Sequence, residues 1–503
     1  MIMLEIYLFF VALFTVLTLI SPWHRLMTVI TLCHMVFNLI FVFYCLSDLF
    51  FPGYTTIELP WFYFEQYLFL DELSLYLMFL TAITFFFATI FSQGYVHNLM
   101  LAGALHPQNL RFFYVTYNLL YASINFTFFC NNLVLFLVFA ELTTIFGSAL
   151  IVTLNVKENI DAATKYIFIT STALVFTLIG LIFLSSIATE SIASSILPEP
   201  LNWYQLMRQL PNLSSNLLLI TFLFILVGLM AKSGIVPFHT WLPHVYSMAP
   251  SVVSAVLSGA VINVGIYGVI RIFALIRQNQ AIWQIISPLM MFFGVLAMSV
   301  GSLSMLPQKD LKKLIAFSSV EQMGFLLLAI SIGTHDAIFW VVFYLVANAW
   351  TKGTLFLSAG VLHRQFRSNE SSTMFDVMKI QPVASLGLIF GTGAIIGLPP
   401  FALFVPKFMI LLEVGKKSLE VMFIALLMFL LVMSAFTVFH TQLFSQLTVH
   451  KGMDVIKPFS TPLSMKIPII GMIVLILILG IYIPETAKTW LERITVDVLG
   501  FGR

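Results

Sequence analysis

Residues 228–271 read GLMAKSGIVPFHTWLPHVYSMAPSVVSAVLSGAVINVGIYGVIR, and this stretch decides the fold. An apolar run reaches Lys232, is interrupted by Pro237 and Pro243, and resumes after Pro250. Proline in a helix interior removes a backbone donor and clashes with the preceding turn, so the run has to break. A charged amine therefore sits about one turn before a break in an apolar helix. An ammonium inside a bilayer costs at least ~2.5 kcal/mol on insertion scales, and irregular backbone at that depth survives only where protein or a water-filled cavity surrounds it. The combination reads as an ion site. The competing reading, a lysine that snorkels to the interface from a span ending near Pro237, leaves the polar break unexplained.

Composition extends this reading to the whole chain. Of 503 residues 60% are hydrophobic and only 9% charged, against about 25% charged in an ordinary soluble domain, so the apolar runs are membrane spans. The cysteines Cys33, Cys45 and Cys130 form no CxxC pair, and no HExxH, P-loop or GxGxxG leading into a helix occurs. No cofactor or metal is therefore expected in this chain, and no nucleophile–base pair marks an enzyme in its own right. The net charge of +2 gives no sign of a nucleic-acid partner. The first apolar run lacks a basic leader and a small-residue cleavage site, so a retained helix is expected there.

Windows of about 20 apolar residues give roughly fourteen spans. They lie near 2–20, 26–45, 70–91, 111–129, 132–153, 162–185, 216–236, 250–270, 282–305, 311–332, 337–362, 382–410, 419–446 and 466–485. The fold class is all-α and polytopic. Loops after odd-numbered spans carry thirteen Lys and Arg residues, among them Lys312, Lys313, Lys451 and Lys457. The other side carries eight, among them Arg208, Arg271 and Arg503. By the positive-inside rule both termini are expected on the outer side. Three cations remain within spans, Lys232, Lys352 and Lys407, and two acids fall well inside apolar runs, Glu141 and Glu321. A carboxylate near mid-membrane needs a cation, a hydrogen-bond network or a proton. For Lys352 and Lys407 the competing reading is again snorkelling, and for Glu141 a structural carboxylate. Asp71 opens the third span, where a carboxylate suits a helix N-terminus whatever its function.

Residues 234–238, GIVPF, are echoed by residues 397–401, GLPPF. Each lies in a proline-broken span, the seventh and the twelfth, and each is close to a lone lysine, Lys232 or Lys407. An offset of five spans is odd, so the copies would run in opposite senses. This is the inverted-repeat plan that transporters build around a midplane site. The expected organisation is residues 1–110 as helices 1–3, 111–275 as the first five-helix repeat, 276–446 as the second, and 447–503 as helix 14 with a tail.

Four stretches carry a resemblance to a known family: AELTTIFGSALI (140–151); KSGIVPFHTWLPHVYSMAPSVVSAVLSG (232–259); KDLKKLIAFSSVEQMGF (309–325); and AWTKGTLFLSAGVL (349–362) with GLPPFALFVPKFMIL (397–411). The chain resembles the antiporter-like membrane subunits shared by respiratory complex I, membrane-bound hydrogenases and multisubunit cation/proton antiporters. The likeness is strongest to component F of hydrogenase-4 type complexes, with complex I subunit 4 as the nearest rival. The resemblance implies that Glu141 and Lys232 act as a pair in which the acid modulates the amine. It implies that Lys352 is a central relay lysine, that Lys407 exchanges with the outside, and that Pro237, Pro399 and Pro400 form helix breaks. Secondary relay or supporting candidates are His239, Ser258, Asn263, Glu321 and Asn348. Relatives often carry a lysine or histidine where Asn263 stands, a change that hydrogenase-4 type relatives share, and a histidine where Asn348 stands; asparagine does not titrate, though it can hydrogen-bond a water chain.

A movable carboxylate beside a buried amine can switch it between proton acceptor and proton donor. The function expected is proton translocation through a Glu/Lys relay within a larger complex, beside further antiporter-like subunits and lipid, with any redox chemistry on other chains. The alternatives are a sodium/proton exchange module and a non-pumping scaffold. The location expected is a bacterial plasma membrane, with the mitochondrial inner membrane as the alternative.

Overall fold

The computed structural model describes residues 2–50, 61–63, 67–101, 103, 105–154, 156–192, 201–203, 206–207, 216–445 and 459–500. Of the loop cations used above, Arg208, Lys451, Lys457 and Arg503 lie outside the described residues. The main helices are α1 (Ile2–Ile20), α2 (His24–Cys45), α3 (Glu72–Leu101), α4 (Pro107–Phe129), α5 (Leu133–Ile151), α6 (Lys157–Ile192), α7 (Asn216–Lys232) and α8 (Trp241–Met248). They continue as α9 (Ser251–Arg277), α10 (Gln280–Met305), α11 (Leu311–Ile332) and α12 (His335–Phe366). The remainder are α13 (Pro382–Ile396), α14 (Phe404–Lys417), α15 (Leu419–Ser445), α16 (Leu463–Ile481) and α17 (Glu485–Leu499). Among the described residues ten helices are long and apolar enough to cross a membrane, and three shorter apolar ones join them. A helix stands at each of the fourteen spans read from sequence. A two-stranded antiparallel ribbon, Trp61–Tyr63 with Leu68–Leu70, adds the only strands among the described residues.

Helix ends follow local chemistry. Asn132 accepts from the amides of Val134 and Leu135 to start α5, Asp310 accepts from the Lys313 amide to start α11, and Thr334 accepts from the Ala337 amide to start α12; each satisfies a donor that has no partner inside its helix. Gly333, at φ 71°, and Gly397, at φ 87°, end α11 and α13 in the left-handed conformation that glycine adopts without strain.

The molecule is organised from inside out. α9, α11 and α12 are buried almost all round and α3 nearly so, whereas α15 and α16 turn most of their apolar surface outward. A helix apolar on every side and buried on every side is an inner helix. The inner helices nevertheless carry Asn263, Glu321, Asn348 and Lys352, all essentially inaccessible.

Two of the spans are broken. α7 stops at Lys232, the chain turns through Gly234 (φ 66°), and α8 resumes at Trp241, whose indole N–H donates to Ala231 O at 3.1 Å. The span read as 382–410 is two helices, α13 and α14, separated by Gly397 to Leu403. At that second break the Ala402 amide donates to Ile476 O of α16 at 3.1 Å, and the chain passes so close that a Cβ on Gly480 would stand 2.0 Å from Pro400 O. Each gap satisfies part of its backbone internally, as irregular chain at membrane depth must.

Three readings of the sequence need correction. Lys312, counted as a loop cation, is buried, and its amine donates to Ala249 O at 2.9 Å. Arg271, counted likewise, lies in α9 and forms a buried ion pair with Asp71 at 2.6 Å. One cation leaves each side of the charge count, so the imbalance between the two sides is unchanged. The expected tail is the amphipathic helix α17, which buries Trp490, Leu491, Ile494 and Val498; it packs on α3, α9 and α12. Its sequence, ETAKTWLERITVDVL, is too polar for a hydropathy window.

Candidate functional site

Three enclosed amines define the site. Lys232, Lys352 and Lys407 have relative exposures of 1%, 0% and 4%, so none of them reaches water by snorkelling. Each is held by neutral oxygens of a neighbouring helix.

The Lys232 amine, on the last residue of α7, donates to Ala140 O at 2.9 Å and to Thr144 Oγ1 at 2.6 Å, both on α5. It also lies 5.9 Å above the Tyr166 ring of α6. Glu141 falls between those two α5 positions, so the expected pair is brought together. Its carboxylate does not take the amine directly: Oε1 accepts from Ser171 Oγ of α6, and Oε2 has no partner among the described residues. Glu141 borders a groove of about 490 Å³ between α5 and α6, lined otherwise by aliphatic side chains and Ser171.

Lys352 sits in the middle of α12 and repeats this arrangement on α11. Its amine donates to Ile315 O at 3.2 Å and to Ser318 Oγ at 2.5 Å. In both cases the lysine takes a helix carbonyl and a hydroxyl about one turn further on. Hydrogen bonds to a charged group are worth roughly 1.5–3 kcal/mol each, which offsets a large part of the cost of withdrawing an ammonium from water.

The third amine, Lys407 on α14, donates to Ile395 O in the last turn of α13 at 2.5 Å and stands 4.1 Å over the Phe429 ring of α15. The negative end of a helix dipole and an aromatic face both favour a cation.

The secondary candidates are placed as follows. Ser258 lies in a wide helical turn, Leu257–Val261, inside α9, and its hydroxyl is 3.4 Å from that of Ser319, next to the Ser318 that holds Lys352. Such turns recur at functional positions. Asn263 donates to Gly259 O in that turn at 2.9 Å, and its Oδ1 has no partner among the described residues. Asn348 is one turn before Lys352 on α12, with its Oδ1 likewise unpartnered among the described residues, and His239 is half-buried in the turn that breaks the seventh span. Beside Lys232, the Tyr166 ring packs at a tilt against Trp241, with ring centres 4.6 Å apart, and Tyr246 meets Trp241 edge-on at 6.1 Å. Tyr166 and the hydroxyls of Thr144 and Ser318 are the parts of the site that sequence reasoning did not assign as amine partners. The available signal was a hydroxyl three residues from each acid within a span, in Glu141–Thr144 and Ser318–Glu321. Among the described residues no group of three or more His, Cys, Asp and Glu side chains is assembled as a metal site.

An all-helical membrane protein with broken spans and enclosed amines set beside carboxylates belongs to the class of antiporter-like ion-translocating subunits. Residues 130–437 match the family described as NADH:quinone oxidoreductase/Mrp antiporter, TM, and the chain belongs to that family. It is 28% identical over 427 residues to a Hydrogenase-4 component F homolog of Methylacidiphilum infernorum, a match covering 85% of this chain and 87% of the relative. It is 28% identical over 296 residues to NADH-quinone oxidoreductase subunit M of Rickettsia prowazekii, covering 59% of this chain and 58% of that one. The fold is similar to a chain of the membrane-bound sulfane sulfur reductase, an archaeal respiratory membrane complex, with TM-score 0.83, 20% identity, and coverage of 99% of this chain and 97% of that chain.

Proposed function

We propose that the protein translocates protons through a relay of Glu141, Lys232, Lys352 and Lys407. One observation carries this reading: each amine is held by neutral oxygens or a ring, and Glu141 adjoins an amine without being locked to it. A carboxylate free to approach or leave can tune the amine between holding and releasing a proton, and the hydroxyls of Ser258 and Ser319 with the two asparagines offer hydrogen-bonding steps between sites. Residues 111–275 and 276–446 form two inverted five-helix repeats in this reading, supported by the two broken spans that each end or restart beside a buried lysine.

The subunit works inside a multisubunit complex, hydrogenase-4-like or NADH:quinone oxidoreductase-like, beside other antiporter-like subunits, with redox centres on partner chains. The membrane is a bacterial plasma membrane in this reading, with both termini on its outer side. A sodium/proton exchange module is the second reading, for which Thr143, Thr144 and Ser148 on the Glu141 helix would supply oxygen ligands.

The test is proton uptake in vesicles holding the intact complex, comparing the parent with Lys232→Ala and Lys407→Ala at equal assembly. Loss in both with the complex intact is expected; unchanged pumping in both would replace the relay by a scaffold. A dependence of uptake on sodium would favour the exchange module.

A further inference from the structure

Glu321 is the most enclosed carboxylate in the relay region, with 0% exposure in the middle of α11. Neither of its oxygens has a hydrogen-bond partner among the described residues. A buried carboxylate in that condition is expensive unless charge or a proton compensates it.

Its surroundings place it between two of the amines. Ile315, Ser318, Glu321 and Phe325 fall on successive turns of one α11 face. At one end of that stripe Ile315 O and Ser318 Oγ hold the Lys352 amine. At the other end the Phe325 ring packs edge-on against Phe429 at 5.0 Å, and Phe429 carries the Lys407 amine on its face. Along the helix Glu321 is about 4.5 Å beyond Ser318 and about 6 Å short of Phe325. The Lys352 and Lys407 amines both act on it electrostatically. α10 packs against this position so closely that a Cβ on Gly301 would lie 2.9 Å from the Glu321 Cβ. Among the described residues neither amide atom of Gln322 on α11, nor Tyr344 OH or Asn348 Oδ1 on α12, has a hydrogen-bond partner.

We propose that Glu321 is the second carboxylate of the pathway, a counter-charge shared by Lys352 and Lys407 that carries the proton from one to the other. The Lys352 ammonium gives a proton to the carboxylate, leaving a neutral amine and a carboxylic acid. The neutral Lys407 amine then takes that proton, restoring the carboxylate and forming an ammonium. The inference rests on the relay reading above and gives the second half of the molecule an acid of its own, as Glu141 serves the first.

The experiment compares Glu321→Gln, Glu321→Asp and Lys232→Ala in the intact complex, reading vesicle proton uptake and complex yield together. At equal yield Glu321→Gln should lower uptake at least tenfold, while Glu321→Asp retains a substantial part of it, a rescue that a neutral structural acid would not show. Loss in Lys232→Ala with parental uptake in Glu321→Gln would overturn the role of Glu321 and leave the relay standing. Parental uptake in both would overturn the relay and this inference with it. If Glu321→Gln does not assemble, Glu321→Gln combined with Lys352→Met should recover the complex, because charge and counter-charge leave together; failure to recover overturns the proposal.

Discussion

The Lys232 amine donates to Thr144 Oγ1 at 2.6 Å and not to Glu141, three residues earlier on the same helix. An amine locked to a carboxylate would stay charged. One held by a hydroxyl and a carbonyl stays sensitive to where the carboxylate lies. Thr144→Val removes that oxygen while keeping the side-chain shape, at a cost of roughly 1.5–3 kcal/mol to the charged amine. Vesicle proton uptake should fall several-fold at unchanged complex yield, and Thr144→Ser should preserve it.

The Phe429 face beneath Lys407 makes a second prediction. A desolvated cation over an aromatic ring gains about 2 kcal/mol, so Phe429→Leu should lower uptake while the complex still assembles. Phe429→Tyr, which keeps the ring, should behave like the parent.

Asp71 and Arg271 form a buried ion pair, and Asp71 also accepts from the Ser74 amide at 2.9 Å. Removing one partner of such a pair typically costs about 3–5 kcal/mol, because the other charge is stranded. Asp71→Asn should sharply lower the melting temperature or yield of the complex. Asp71→Leu with Arg271→Met should recover much of that loss, since apolar replacement of a whole pair is often neutral.

Close helix packing supplies the fourth prediction. A methyl added at Gly301 would stand 2.6 Å from Glu321 N and 2.9 Å from its Cα, both backbone atoms that cannot rotate aside. Gly301→Ala should therefore destabilise the complex by about 1–3 kcal/mol through overpacking, visible as a lower melting temperature. Gly415→Ala meets only the flexible Met422 side chain at 2.6 Å and should be nearly silent.

Much of this was legible in the sequence because its cause is local. Hydropathy located the helices, proline and glycine marked both broken spans, and the rarity of charge in apolar runs singled out Lys232, Lys352, Lys407, Glu141 and Glu321. What holds each amine was not legible. Thr144 and Ser318 look like any hydroxyl residue in a membrane helix, where packing and helix–helix hydrogen bonds are ordinary roles, and Ile395 contributes only a backbone carbonyl. Lys312 was hidden by its place at the very start of a span, beside Lys309, Asp310 and Lys313, where a cation is counted with the adjoining loop. Arg271 was hidden by its position at the end of a span, where its buried partner, Asp71, is 200 residues away in the chain. The helix α17 escaped because its apolar residues recur with helical spacing, and a window average erases that pattern.

The hydrogen bond from Ala402 to Ile476 ties the second gap to α16, the fourteenth span, which the sequence places outside both repeats. That helix is wedged among α3, α12 and α13: Met472 reaches Gly353 of α12, Ile469 reaches Gly387 of α13, and Ser464 reaches Gly94 of α3. It is thus the keystone of the second half, spanning the seam between the N-terminal helices and the Lys407 gap. Deleting residues from 463 onward would leave that gap without its backstop, so α16 is a structural wall of the second break.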